Sequence, residues 1–586
     1  MPWLSAVSAL LKEHSEKERL FSQLKLAGFD EQERLWPALE ATIKEQSAGV
    51  LKVLASARSE IETALTKPAT PHKVTARRVL HELESEHFWS EWRRLLAEQL
   101  LFFEAYGHNP AAMKQHRSRL TKHLHDEERL LGMFRHLTTT NGFGDLHAHG
   151  SGTLTREEAW RWFLETGFLL DWVAFRKEPG YRCNNYSEED AQAMNVLVKE
   201  VREGMIPEHE LFGRFITLLQ QVHVEGNERF LLFQSKDDLI NVMHTKHLYE
   251  GGEQKTQRYA RMIEGILRSC EHEGIDYIEL RTGPACRELF EGFRLAQKTV
   301  PGVTIKYIDF ITYTGGDPDA LRKAKLEIDK LFGYRLQYPF IVGIDVVERT
   351  AADHLSNELI AYIGARNRMT KEPLRITVHQ GEFFHPRNWG GAHTKLALFA
   401  TILNMVESVV DHYNDGVRRL GHANILGIEV NEYFKEELAG GMDVRRRIEE
   451  LAAQQDRIIE KVLMLGIAIE TAPTSNLMIA GIEYERATAV RLLKKAERIR
   501  RERGIAKPLL VTINTDDRVT FGGRLLQEFL RVGYEAGLTI AEIDEIRENS
   551  AKARLDKMWR HGKTLIIEEG RREENRSVGR RERGRR

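Results

Sequence analysis

Asn141-Gly-Phe-Gly-Asp-Leu-His-Ala-His-Gly150 is a short apolar run that ends in two histidines one residue apart. In an extended strand, side chains at i and i+2 lie on one face. His147 and His149 can therefore aim two imidazoles at one point, and imidazole suits zinc. Alone the pair says little, because 23 histidines make a chance pair expected, and a strand end with two solvated rings is the blander outcome. Three later stretches repeat the pattern: Leu374-Arg-Ile-Thr-Val-His-Gln-Gly-Glu382, Arg419-Leu-Gly-His-Ala423 and Leu509-Leu-Val-Thr-Ile-Asn-Thr-Asp-Asp517. Each is a strand-like run that stops at His or Asp and a turn. Strands of parallel α/β folds are buried on both faces and read as continuous apolar runs. Chemistry in such folds sits where the strands end. Four runs that stop at metal-competent or proton-carrying groups are hard to explain by core packing.

From about residue 141, strand-like and helix-like segments alternate. The strand-like ones are Gly144 to His149, Tyr277 to Leu280, Ile305 to Thr312, Phe340 to Val347, Leu374 to His379, Arg419 to Asn424, Ile467 to Thr471 and Leu509 to Asn514. Eight strands with helices between them predict an α/β fold, a (β/α)₈ TIM barrel. Such barrels need about 250 residues and tolerate insertions. The interval 141–560 is long enough, with a helical insertion near 160–250 after the first strand. Residues 1–140 are rich in Leu, Ala, Glu, Arg and Lys at helical spacing, as in Trp89-Ser-Glu-Trp-Arg-Arg-Leu-Leu-Ala-Glu-Gln-Leu-Leu-Phe102. They predict an added N-terminal helical region, in the blander view a cap on the barrel and in the sharper one a surface for homo-oligomer formation. Residues 561–586 carry charge without apolar periodicity and predict a disordered tail.

The bulk numbers exclude some classes. Lys+Arg is 86 and Asp+Glu 87 in 586 residues, so net charge argues for neither nucleic acid nor a membrane surface. Three cysteines, none in a CxxC pair, predict reduced thiols and a cytoplasmic setting. The start, Met1-Pro-Trp-Leu-Ser-Ala-Val-Ser-Ala-Leu-Leu-Lys12, lacks the basic segment of a signal peptide. No run approaches the roughly 20 apolar residues that span a bilayer.

Taken together, the motifs resemble the adenosine deaminase family of the amidohydrolase superfamily, and they occur in that family's order. They are Asp145-Leu-His-Ala-His149, Tyr277-Ile-Glu-Leu-Arg281, Gly343-Ile-Asp345, Thr377-Val-His-Gln-Gly-Glu382, Leu420-Gly-His422, Ala472-Pro-Thr-Ser-Asn476 and Asn514-Thr-Asp-Asp517. The resemblance covers about 141 to 560. It implies one zinc ion per chain, held by His147, His149, His379 and Asp516, and a water activated there. It implies that His422 orients this water and takes its proton, that Glu382 protonates ring N1 of an adenine, and that Asp517 binds ring N7. The product would be the 6-oxopurine plus ammonia. For Glu382 to donate, burial must raise its pKa. For Asp516 to face a metal while Asp517 faces substrate, the backbone must turn between them. Gly381 would let the backbone approach the ligand closely.

Two positions depart from the nucleoside deaminases. Ser151 replaces the acidic residue that binds the 5′-hydroxyl, and Glu348 stands where a glycine usually contacts ring N3. Both bring the chain nearer to AMP deaminases and favour a nucleotide, AMP or dAMP or the triphosphate, with Arg156, Arg281 and Arg387 as phosphate partners to test. The partner is in either case a small purine nucleoside or nucleotide. Two other readings compete: an amidohydrolase acting on a modified purine, and a nucleotide-sensing assembly module, conceivably in phage defence. Cytidine-type zinc deaminases are excluded, because their PCxxC ligands are missing.

Overall fold

The computed structural model describes residues 142–154, 252–312, 319–347, 355–382 and 394–556, with brief breaks, and scattered positions in 88–134 and 192–205. The chain divides into two compact units, Met1–Thr140 with Thr539–Asp544, and Asn141–Leu538 with Glu545–Arg586. In the first, the described positions are helical, and Phe88 packs against Trp89, Trp92 and Phe134 with ring centroids 5.2, 6.4 and 5.8 Å apart. Most of the predicted 160–250 insertion and all of the 561–586 tail lie outside the described residues. None of the described helices is long and apolar enough to cross a membrane.

The second unit holds eight parallel strands in sequential order. They are β1 (Phe143–His149), β2 (Ile275–Thr282), β3 (Thr304–Thr312), β4 (Ile341–Val347), β5 (Arg375–Gln380), β6 (Val417–His422), β7 (Ala468–Thr471) and β8 (Val511–Ile513). Each overlaps a run read from the sequence, with ends shifted by a few residues. A parallel bridge between Ala148 and Asp516 joins the last strand to the first. The arrangement is a (β/α)₈ barrel.

The intervening helices are α1 (Gly252–Glu273), α2 (Arg287–Thr299), α3 (Ala320–Arg335), α4 (Leu355–Arg368), α5 (Lys395–Asp411), α6 (Met442–Leu465), α7 (Thr488–Arg503), α8 (Leu525–Ala536) and α9 (Ile540–Ala553). Each buries one apolar stripe against the sheet. In α2 the buried residues are Leu289, Phe290, Phe293 and Ala296, spaced at i, i+1, i+4 and i+7. Phe290 meets Tyr307 of β3 edge-on at 5.0 Å, and Phe293 stacks on Phe340 at 5.3 Å. The start of α5 is set by Thr394, whose hydroxyl accepts from the Ala397 N–H at 3.3 Å.

The barrel floor, at the N-terminal ends of the strands, is sealed by the end of α9 and the residues just after it. Ala553 packs with Leu146, Tyr277 and Ala468, and Leu555 packs with Ile308 and Val342. Leu555 sits directly over Gly343. A Cβ at Gly343 would lie 2.5 Å from Leu555 Cδ1 and 2.8 Å from the Arg375 carbonyl oxygen. The carbonyl belongs to the neighbouring strand and cannot swing away, so Gly343→Ala overpacks the floor. We expect Gly343→Ala to lose about 1–3 kcal/mol of stability, seen as a lower denaturant midpoint at unchanged slope.

Candidate active site

The site begins at the β8–β1 seam. Asn514 accepts the Leu146 N–H on its Oδ1 at 2.9 Å, and its own backbone N–H donates to the Thr471 carbonyl at 2.9 Å. Thr515 Oγ1 donates to Asp145 Oδ2 at 2.5 Å. Burial pushes the Asp145 carboxyl up to about 6, against the lowering pull of Thr515 and Arg518. The Asp516 N–H then donates to the His147 carbonyl at 2.9 Å, and its carbonyl accepts from the His149 N–H at 3.3 Å. Asp516 adopts φ +60, a conformation that L residues rarely take and that Asp tolerates better than most. This is the turn the sequence requires between Asp516 and Asp517. It leaves Asp516 Oδ1 3.3 Å from His149 Nε2.

Three imidazoles converge beside it. His147 Nε2 lies 3.0 Å from His379 Nε2 and 3.2 Å from His149 Nε2. The opposite nitrogens are engaged elsewhere: His147 Nδ1 reaches Glu470 Oε2 at 3.2 Å, and His379 Nδ1 lies 2.8 Å from Asp345 Oδ2. With acceptors beside Nδ1, the proton belongs there and the lone pair on Nε2. His147 Nε2 thus meets the Nε2 atoms of both His379 and His149, with Arg281 Nη1 3.3 Å away. Tetrahedral zinc, with Zn–N of about 2.0–2.1 Å, puts its ligand atoms roughly 3.3 Å apart, close to those two separations. His147, His149 and Asp516 form one metal-competent trio, and His147, His379 and His422 another. Burial drives all four histidines below their usual range, His379 and His422 to about 3, aided at His147 and His379 by Arg281. They are neutral at neutral pH, as metal ligation requires.

His422, at φ +62, caps β6. Its Nδ1 faces Asn476 Oδ1 at 3.0 Å, while Nε2 points to Glu382 Oε1 at 3.7 Å and Asp516 Oδ2 at 3.8 Å. An amide oxygen can only accept, so Asn476 puts the proton on Nδ1 and leaves Nε2 basic. Asn424 Nδ2 holds that same amide oxygen at 3.0 Å and thereby orients it. The Glu382 carboxyl is pushed well above the usual carboxylate range, by burial first and by neighbouring Asp516 second. The shift is toward the neutral acid, the form a proton donor needs.

The remaining sequence-predicted residues fall unevenly. Asp517 is buried, and its carboxylate occupies the space a Gly152 side chain would fill. Gly381 has φ +68, and Ile425 Cγ2 would lie 2.8 Å from an added Cβ, so packing alone requires glycine there. Ser151 lies in the turn Ser151–Thr153. Glu348, Arg156 and Arg387 lie outside the described residues. Arg281 is corrected: it is wholly buried, donates to Asp345 Oδ2 at 2.8 Å and to Glu470, and is not available to a phosphate. Sequence reasoning assigned no role to Asp145, Asn476, Asn514 or Glu470. Their only signal was their presence inside the quoted motifs or, for Glu470, one residue before Thr471.

No family model matches the chain. It is 23% identical over 299 residues to an adenosine deaminase of Serratia proteamaculans (strain 568), covering 49% of this chain and 70% of that protein. An Arabidopsis ADAL structure complexed with GMP aligns at 16% identity and TM-score 0.43, over 71% of this chain and 92% of its own. The Arabidopsis N6-mAMP deaminase MAPDA aligns at 16% and 0.43, over 71% and 93%. Likeness at this structural level carries no argument about substrate.

The Gly152–Asp517 contact is testable without any substrate. Gly152→Ala should cost about 1–3 kcal/mol by overpacking, and far less once Asp517→Ala has emptied the space. A double-mutant cycle of thermal unfolding measures the coupling. Strictly additive losses mean that the carboxylate is not what excludes the methyl.

Proposed function

We propose that this chain is a member of the adenosine deaminase family of the amidohydrolase superfamily, a zinc-dependent hydrolase that converts an adenine nucleotide to its 6-oxopurine counterpart and ammonia. The observation that carries this reading is the pair of metal-competent trios that share His147, one with His149 and Asp516 and one with His379 and His422, beside Glu382, whose carboxyl is pushed toward the neutral acid. His147, His149, His379 and Asp516 would hold one zinc ion. Zinc held so supplies a water whose pKa falls to about 7.

The chain's own residues would do the rest. His422 presents a basic Nε2, oriented by Asn476, to take the water proton. Glu382 gives its proton to ring N1, which makes the amino-bearing carbon electrophilic. Asp516 shares the space between His149 and His422 and steers the attacking water. Asp517 would contact ring N7, and Gly381 would let the purine approach the backbone. The bond formed is carbon to oxygen and the bond broken is carbon to the exocyclic nitrogen; of the two water protons, one leaves with ammonia by way of His422 and the other restores the proton that Glu382 gave to N1. A nucleotide is favoured over a nucleoside by Ser151 and Glu348, because an acidic group at the first position would repel a 5′-phosphate.

Ammonia release from adenosine, deoxyadenosine, AMP, dAMP and ATP tests the substrate. We expect faster turnover of the phosphorylated compounds, and preference for the free nucleosides overturns that part. Elemental analysis should find about one zinc per chain. Glu382→Gln should cut turnover by about 10²–10⁴-fold at unchanged zinc content. The same variant carries a pH signature in zinc-stripped protein. A carboxyl raised in the folded state costs stability as pH climbs above its ordinary value of 4.5, where only the unfolded chain ionises. Zinc-stripped Glu382→Gln should therefore melt above its parent at alkaline pH, and the gap should close as pH falls toward 4.5.

A further inference from the structure

Below the imidazoles the barrel interior is polar. Asp345, Arg281, Glu470, Arg419 and Glu279 are all buried and touch in series. Arg281 Nη1 donates to Asp345 at 2.8 Å, and Nη2 donates to Glu470. Arg419 lies with Nε 2.9 Å from Glu470 Oε1 and donates through Nη2 to Glu279. At the floor Glu279 Oε1 accepts from Tyr277 Oη at 2.7 Å and from the Leu555 N–H at 2.9 Å. At the top Glu470 Oε2 accepts from His147 Nδ1 and from Thr377 Oγ1, each at 3.2 Å.

Two features argue that this ladder serves more than stability. Buried ion networks contribute little to stability, and apolar replacements of similar volume often do as well. The ladder also sets three buried carboxyl groups against two guanidinium groups, so charge pairing within it is incomplete. Glu470 is the member that ties the charges to a ligand ring, since it contacts both arginines and His147.

We propose that Glu470 is a positioning residue of the metal centre: gripped by Arg281 and Arg419, it fixes the tautomer and rotation of His147 so that Nε2 faces the cation. This rests on the metal reading above, and its test does not use turnover. Zinc affinity is measured on the full chain by competition with a chelator, together with the thermal midpoint of the zinc-stripped form. Glu470→Gln keeps the shape and removes the charge. Glu470→Asp keeps the charge and withdraws the carboxylate from His147. We expect each to bind zinc about 10–100-fold more weakly, while zinc-stripped Glu470→Asp melts close to its parent. If Glu470→Gln does not fold, Glu470→Asp decides. Parental zinc affinity in a folded variant overturns the role of Glu470 and leaves the deaminase reading standing. A parent protein that binds no zinc overturns that reading itself.

Discussion

Closure of the sheet is the constraint on which the rest of this structure depends. The eighth strand meets the first through the main chain of Asp516, whose N–H and carbonyl bond to His147 and His149. The residue that closes the barrel is thus also the one that brings a carboxylate to the imidazoles. Asn514 and Thr515 brace the junction through Leu146 and Asp145. A seam one residue out of register would turn the Asp516 side chain away from His149, because strand neighbours alternate faces. Closure and ligand geometry are therefore one event. The left-handed backbone at Asp516 and at His422 is held by the surrounding hydrogen bonds, as strained residues at sites generally are.

The imidazoles are positioned by a second set of contacts that point away from the place where their Nε2 atoms meet. Glu470, Asp345 and Asn476 each face the Nδ1 of one histidine. Each leaves Nε2 with its lone pair, and burial keeps that lone pair free of a proton. Glu382 is driven the other way, toward the neutral acid, as are buried Asp145 and Asp345. One dry cavity thus makes bases of its histidines and an acid of its glutamate, since both shifts remove charge from a low-dielectric space.

Much of this was legible in the chain. The strands showed because parallel strands buried on both faces are continuous apolar runs. Their chemical ends showed because His and Asp interrupt those runs. The ladder was not legible. Glu279, Arg281, Asp345, Arg419 and Glu470 are scattered over nearly two hundred residues, and a strand buried on both faces gives no sign of which side is the lumen. Arg281 illustrates the cost: as a strand-end arginine it suggested a phosphate partner, whereas it points inward and pairs with two carboxylates.

Residue order alone therefore established the alternation of strand and helix, and it placed histidines and aspartates at the ends of β1, β5 and β8. Those depend on local periodicity, which a linear string records in full. The tautomer of each histidine, the turn at Asp516, the shift of Glu382 toward the neutral acid and the inward aim of Arg281 came only with the closed barrel. Each depends on atoms from distant strands meeting within a few ångströms, away from water, and no local pattern encodes such a meeting.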